Sequence, residues 1–235
     1  MNEQIKTIVF DYGGTLDTDG IHWSEKFWEA YQYFNVPVLK EDFRKAFVYS
    51  ERKIPEIIKP DYSLIRTYRT QISHQMEYFK KSGLLTDESN DLVDRLSEYS
   101  YSSVIEVIPV TKQILEELKP TYKLGLVSNY YGNVKMVLTE LGLASFFDSI
   151  TDSTAVGIRK PDKRIFQLSL EKLNAVPSET VVVGDSYKND ISPSKSIGCK
   201  TIWIKGKSWN EAENIDDADI IINTIKELTE AIKSI

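Results

Sequence analysis

Four short segments carry side chains that could act together on a small anionic substrate. The first is Asp11-Tyr12-Gly13-Gly14-Thr15-Leu16, where a carboxylate leaves an apolar run and two glycines let the backbone turn tightly around a ligand. Ser128-Asn129 closes a second apolar run, and Lys160-Pro161-Asp162 sets a cation ahead of a helical pattern. In the fourth, the run Val181-Val182-Val183 ends in Gly184-Asp185, and a further carboxylate follows five residues on at Asp190. Two carboxylates separated by a loop can converge on one hard cation, which prefers oxygen ligands and keeps bound water. Taken singly, each segment has a plainer explanation: a turn after a strand, an N-cap at Ser128-Asn129, a solvated lysine. Their meaning depends on whether the fold brings them together.

The elements that would do so are legible as apolar, β-branched runs at 5–10, 124–127, 180–183, 201–204 and 219–222. Runs apolar on both faces suit the buried strands of a parallel sheet. Helical patterns at 111–118, 133–141, 164–173 and 224–232 alternate with them. The alternation predicts an α/β fold with a doubly wound, Rossmann-like parallel-sheet core. In such sheets ligands bind beyond the carboxyl ends of the strands, where the four segments fall. Residues 18–105 differ, with helical patterns at 24–34, 41–52, 63–81 and 87–102 and no strand. In the third of these Ile65, Tyr68, Ile72, Met76 and Phe79 recur at helical spacing and should face a core. The expected division is a core domain of 1–17 and 106–235 and an inserted all-helical cap domain of 18–105, with hinges near 17–21 and 106–109.

Composition narrows the chemistry. The chain has 235 residues and a formal net charge of −6, which argues against the counterion-releasing basic surface that nucleic-acid binding needs. One cysteine, Cys199, excludes an intramolecular disulfide, and two histidines, His22 and His74, are a poor supply of zinc ligands. Any metal would be a hard, oxygen-bound ion such as Mg²⁺. No apolar run is long enough to span a membrane, and the N-terminal run is too short for a secretion signal, so a cytoplasmic protein is expected. Oligomeric state is not encoded in any of these features.

In order and separation the four segments resemble the signature motifs of the haloacid dehalogenase-like (HAD) superfamily. Phe147-Asp148-Ser149-Ile150 and Gly198-Cys199-Lys200-Thr201 are similar to that family as well, and the helical insert resembles its helical cap class. The resemblance implies a phosphatase-type hydrolase of a small phosphorylated metabolite. Asp11 would be the nucleophile, forming an aspartyl-phosphate. Ser128 and Lys160 would hold the phosphoryl oxygens, with Asn129 and Gly14 completing the substrate contacts. Mg²⁺ would be held by Asp11, the Gly13 backbone carbonyl, Asp185 and Asp190.

One position departs from the pattern: Gly13 stands where family phosphatases usually carry a second Asp that acts as general acid and base. Such help is typically worth about 10²–10⁴ in rate. His22, just inside the helical insert, could supply the proton, while nothing in the sequence aims Asp17 or Tyr12 inward. Two other readings stay open: a metal-free 2-haloacid dehalogenase-type hydrolase, and a catalytically weak binding or regulatory protein that keeps the fold. Of the aromatic residues Trp23, Phe27, Trp28, Tyr31, Tyr33 and Phe34 most are expected in packing and a minority lining the pocket, where they could stack on a ring, and Arg66 and Arg69 either meet a second anionic group or lie on a solvated face.

Overall fold

The computed structural model describes residues 4–85, 90–209 and 217–235. Its centre is one parallel sheet in the order β3-β2-β1-β4-β5-β6, formed by Thr7–Phe10 (β1), Lys123–Ser128 (β2), Ser149–Asp152 (β3), Thr180–Gly184 (β4), Lys200–Ile204 (β5) and Ile220–Ile222 (β6). β1 is buried along its length because both its faces are apolar. Ile8 and Phe10 enter the larger core, while Val9 joins Val127 and Val182 on the opposite face. Phe10 pairs with Leu126 of β2 and with Val183 of β4, so Asp11, Ser128 and Asp185 leave the sheet at nearly one level.

Four helices lie between β1 and β2: Trp23–Tyr33 (α1), Lys40–Lys53 (α2), Leu64–Lys81 (α3) and Asn90–Leu118 (α4). The remaining helices are Val134–Glu140 (α5), Ser153–Val156 (α6), Arg164–Leu173 (α7), Ser192–Lys195 (α8) and Leu228–Lys233 (α9). α7 covers the second face of the sheet with Ile165, Phe166, Leu170 and Leu173. The first three helices close on an aromatic core in which Tyr31 and Phe43 lie 4.9 Å apart by ring centroids. The Tyr31 hydroxyl donates to Gln75 Oε1 at 2.9 Å, which satisfies a polar group buried with that ring. On α3, Tyr68, Ile72, Met76 and Phe79 are buried as their spacing predicts, and Ile65 is partly exposed.

Besides the short helices α6 and α8, two differences from the sequence reading bear on the sheet and its connections. β3 was not expected; it is a four-residue edge strand whose first two residues are only partly buried. The hinge expected at 106–109 is instead helical, because α4 runs unbroken from Asn90 to Leu118 with Pro109 inside it. The start of the expected 87–102 helix, at 87–89, lies outside the described residues. Arg66 and Arg69 are on the solvated face: Arg66 stacks 3.7 Å from the Tyr62 ring, and Arg69 pairs with Asp94 at 2.9 Å.

α4 is tied to the loop after β1 by a buried hydrogen bond from Thr111 Oγ1 to the Leu16 carbonyl at 2.6 Å. Thr111→Val keeps the shape and removes the donor. It should lower stability by about 1–3 kcal/mol in urea unfolding, and a loss too small to measure would mean the bond does not hold the loop.

Candidate active site

Asp11, Lys160 and Asp190 meet at the carboxyl edge of the sheet, between the ends of β1 and β4 where the strand order reverses. Lys160 Nζ lies 2.6 Å from Asp11 Oδ1 and 2.6 Å from Asp190 Oδ1, and it also donates to the Val127 carbonyl at 3.2 Å. Ser128, at the end of β2, and Asn129 line the same cavity. Asn129 is committed to the loop: its Nδ2 donates to the Lys160 carbonyl at 3.0 Å, and its Oδ1 accepts from the Lys160 N–H at 2.8 Å. It thereby fixes the backbone that presents the ammonium. The Asp190 carboxylate accepts from the Ser186 N–H at 3.1 Å, closing the π-helical turn Tyr187–Ile191 that follows Asp185.

The glycines make room for this crowding. Gly14 has φ +96°, and a Cβ there would lie 2.3 Å from Asp185 Oδ2, so no side chain fits. Its N–H is occupied by Asp17 Oδ1 at 2.8 Å, which makes Gly14 a spacer for Asp185 rather than a free donor to a ligand. A Cβ on Gly184 would strike the Asp190 carboxylate at 2.6 Å.

Burial acts on every charge in the cluster. It pulls the Lys160 ammonium down, yet the charges of Asp11 and Asp190 outweigh it and leave the pKa above its ordinary value. The Asp185 carboxyl is pushed well above the usual carboxylate range, first by burial and then by the negative charges of Asp11 and Asp190. Asp190 is raised as well, by burial, against the pull of Lys160. Three carboxylates around one ammonium therefore retain an excess of negative charge. Asp11, Asp185 and Asp190 each offer an oxygen, and these atoms all lie within 4.8 Å of one another. An all-oxygen set with uncompensated charge fits a hard divalent cation and does not suit a soft one.

Position 13 is shaped by the helices. A Cβ on Gly13 would meet the Trp23 indole at 3.2 Å, so the ring stands against the space that a side chain there would enter. Trp23 Nε1 in turn donates to Asp17 Oδ2 at 2.8 Å. Asp17 is fully buried, and burial lifts its carboxyl from 3.8 to about 7 against the hydrogen bonds from Gly14, Trp23 and Thr18. His22 lines the cavity but caps α1, with Nδ1 accepting from the Ser24 N–H at 3.2 Å. Burial holds its pKa below the ordinary 6.5, so the ring is neutral near pH 7 and a poor proton donor.

Sequence reasoning missed the rest of the cavity wall. Glu51 of α2, Gln71 of α3, and Tyr131 and Arg159 from the loops beside Ser128 and Lys160 all line it, as does Tyr68; of the aromatic residues from Trp23 to Phe34 singled out in the sequence, Trp23 lines it too. Tyr131 and Arg159 were adjacent to chosen residues and could have been considered. Glu51 and Gln71 carry no local signal.

Comparisons with known proteins give the family of the chain. The sequence profile of the family described as haloacid dehalogenase-like hydrolase matches residues 8–204. Glyceraldehyde 3-phosphate phosphatase of Methanocaldococcus jannaschii is 31% identical over 57% of the chain, a match spanning only 59% of that relative. Phosphoglycolate phosphatase of Vibrio parahaemolyticus is 25% identical over 98% of the chain and 97% of its own length. Among solved structures, YfnB of Bacillus subtilis, determined with magnesium, superposes with a TM-score of 0.60 at 19% identity, covering 98% of this chain and 100% of that one. A likeness at that identity shows the fold.

Two outcomes follow from the packing around Asp17 and Gly13. Because the folded-state pKa of Asp17 is raised, the native state holds its proton more tightly than the unfolded chain does. Its contribution to stability is therefore present at low pH and is lost as pH rises from about 4 to about 7. Asp17→Asn should flatten the thermal-stability profile over that window, and an unchanged slope would place the titration elsewhere. Gly13→Asp must displace the indole, so it should lower stability by about 1–3 kcal/mol in the same measurement; an unperturbed melt would show that Trp23 yields freely.

Proposed function

From the premise that the chain belongs to the haloacid dehalogenase-like hydrolase family, we propose that it is a Mg²⁺-dependent phosphatase of a small phosphorylated metabolite, with Asp11 as nucleophile. The observation that carries this reading is the cluster of Asp11, Asp185 and Asp190 around the buried Lys160 ammonium. An Asp nucleophile alone would equally serve a metal-free dehalogenase. The two further carboxylates favour phosphoryl transfer, since they offer a cation site that a dehalogenase does not use. A binding protein has no physical need to bury so many charges together.

In this reading Asp185, Asp190, Asp11 and the Gly13 carbonyl hold the ion. When bound, Mg²⁺ offsets the repulsion between an anionic nucleophile and an anionic substrate. Lys160 and the Ser128 hydroxyl bind phosphoryl oxygens, and Lys160 balances the charge that develops on them. An Asp11 oxygen attacks phosphorus as the bond to the leaving oxygen breaks, giving an aspartyl-phosphate and an alcohol that takes its proton from water. Water then attacks phosphorus, the bond to Asp11 breaks, and inorganic phosphate leaves while a proton returns to solvent. Among the described residues, neither Gly13, which has no side chain, nor the neutral His22 can protonate the leaving oxygen. Hydrolysis should therefore favour substrates with good leaving groups. The helices from α1 to the first half of α4 act as the cap, and the sheet with its flanking helices as the core.

The test is phosphate release from acetyl phosphate, p-nitrophenyl phosphate and an alkyl phosphate. Release should fall to background in Asp11→Asn and on chelation of Mg²⁺, and should decline along that series. Full activity in Asp11→Asn would remove the nucleophile assignment. Turnover of a haloacid that survives chelation would restore the dehalogenase reading.

A further inference from the structure

The cavity into which Asp11 opens has a volume of about 160 Å³, which suits a phosphoryl group with a short organic remainder. The helices supply one wall of it, and that wall is rich in hydrogen-bond acceptors. Glu51 Oε1 accepts from the Tyr131 hydroxyl at 2.5 Å and from Gln71 Nε2 at 2.6 Å. Both bonds converge on one oxygen, which leaves Oε2 to accept from a ligand. Gln71 is nearly fully buried and spends an N–H on Glu51, so its own carbonyl oxygen remains an acceptor. The Tyr68 hydroxyl is buried with no partner among the described residues, although its ring is packed 4.6 Å from that of Trp23. A buried hydroxyl without a partner is an exception that a bound group would remove.

We propose that this wall recognises a short phosphomonoester whose far end donates hydrogen bonds and carries no negative charge, a hydroxyl or a primary ammonium, and that it rejects a carboxylate there. The assignment rests on the phosphatase reading of the same site. Three features carry it. Burial raises the Glu51 pKa and the Tyr131 and Gln71 hydrogen bonds offset part of that; in its ionised form Glu51 repels a second anion in a site already crowded with Asp11, Asp185 and Asp190. The Tyr131 hydroxyl and one of the two Gln71 N–H groups are turned towards Glu51. Arg159, the cation of the wall that could bind a carboxylate, lies exposed at the rim. Glu51 thus selects by accepting from a donor where an acid would offer only another acceptor.

Three two-carbon phosphates with similar leaving groups isolate this effect: 2-hydroxyethyl phosphate, phosphoethanolamine and phosphoglycolate. Each is measured as a substrate and as a competitive inhibitor of p-nitrophenyl phosphate hydrolysis, so that binding is read even where turnover is slow. The wild-type protein should prefer the hydroxyl or the ammonium compound to phosphoglycolate by about tenfold or more in kcat/KM and in inhibition constant. The ratio between those two tells which donor the wall takes. Glu51→Gln, checked for folding by its melting temperature, should narrow the gap to within about threefold by improving phosphoglycolate. Equal or better use of phosphoglycolate by the wild type overturns the proposal, whether or not the variant folds. Absence of Asp11-dependent release even from p-nitrophenyl phosphate overturns the phosphatase reading itself, and the substrate assignment falls with it.

Discussion

The arrangement depends on one buried ammonium. Lys160 is 5% exposed and sits between two carboxylates at 2.6 Å each, in a place where an unpaired charge of either sign would be strongly unfavourable. Removing the lysine would leave Asp11 and Asp190 facing one another without a counter-charge. Much of the local structure reads as support for that single side chain. Asn129 clamps its backbone from the end of β2, Val127 accepts its third donor contact, and Ser186 holds the far oxygen of Asp190. The sheet order makes this possible, because the central β1 has β2 and β4 as its two neighbours. Three loops then converge on the edge of one strand.

The ammonium is not enough for the charge around it. Asp185 joins the cluster across Gly14 with no room for a side chain between them, and its carboxyl is driven up by burial and by its anionic neighbours. A cluster strained in this direction relaxes when a second cation enters, and the donors are all oxygens. The same charge excess reaches into the cavity and sets what kind of ligand end is tolerated opposite Asp11. Electrostatics of the reacting centre and selectivity at the far wall are thus one problem with two faces.

What was legible in the sequence divides along the same physical line. β1, β2, β4 and β5 could be read because strands buried on both faces must be apolar throughout, and the chemical residues follow directly on those runs. β3 could not: it is short and partly exposed at the sheet edge, so Ser149 and Thr151 leave no apolar signature. Pro109 suggested a break because proline removes a helical hydrogen bond. In the fold it lies on the exposed side of α4, and the helix continues through it. The cavity wall was illegible for a different reason. Glu51 and Gln71 lie on amphipathic helices with many polar residues, and only the packing of α2 on α3 selects the two that point inward. Their partner Tyr131 is 80 residues from Glu51, a distance that no local pattern encodes.

The same limit applies to the missing acid. Glycine at 13 reads in the sequence as a simple loss, but the fold places the Trp23 indole against it and ties that indole to Asp17. The loop after β1 therefore takes part of its shape from α1, the first helix of the inserted segment. Asp17 accepts from Trp23 and from Gly14 at the same time, so the helix and the backbone beside Asp11 share one buried carboxylate. Any motion that carried α1 away from the sheet would have to break the Trp23 bond and leave Asp17 with fewer donors for its charge. The helical segment is thus more than a cover over the cavity. It completes the floor next to Asp11 with a side chain that fills the space beside Gly13 and donates a hydrogen bond to Asp17.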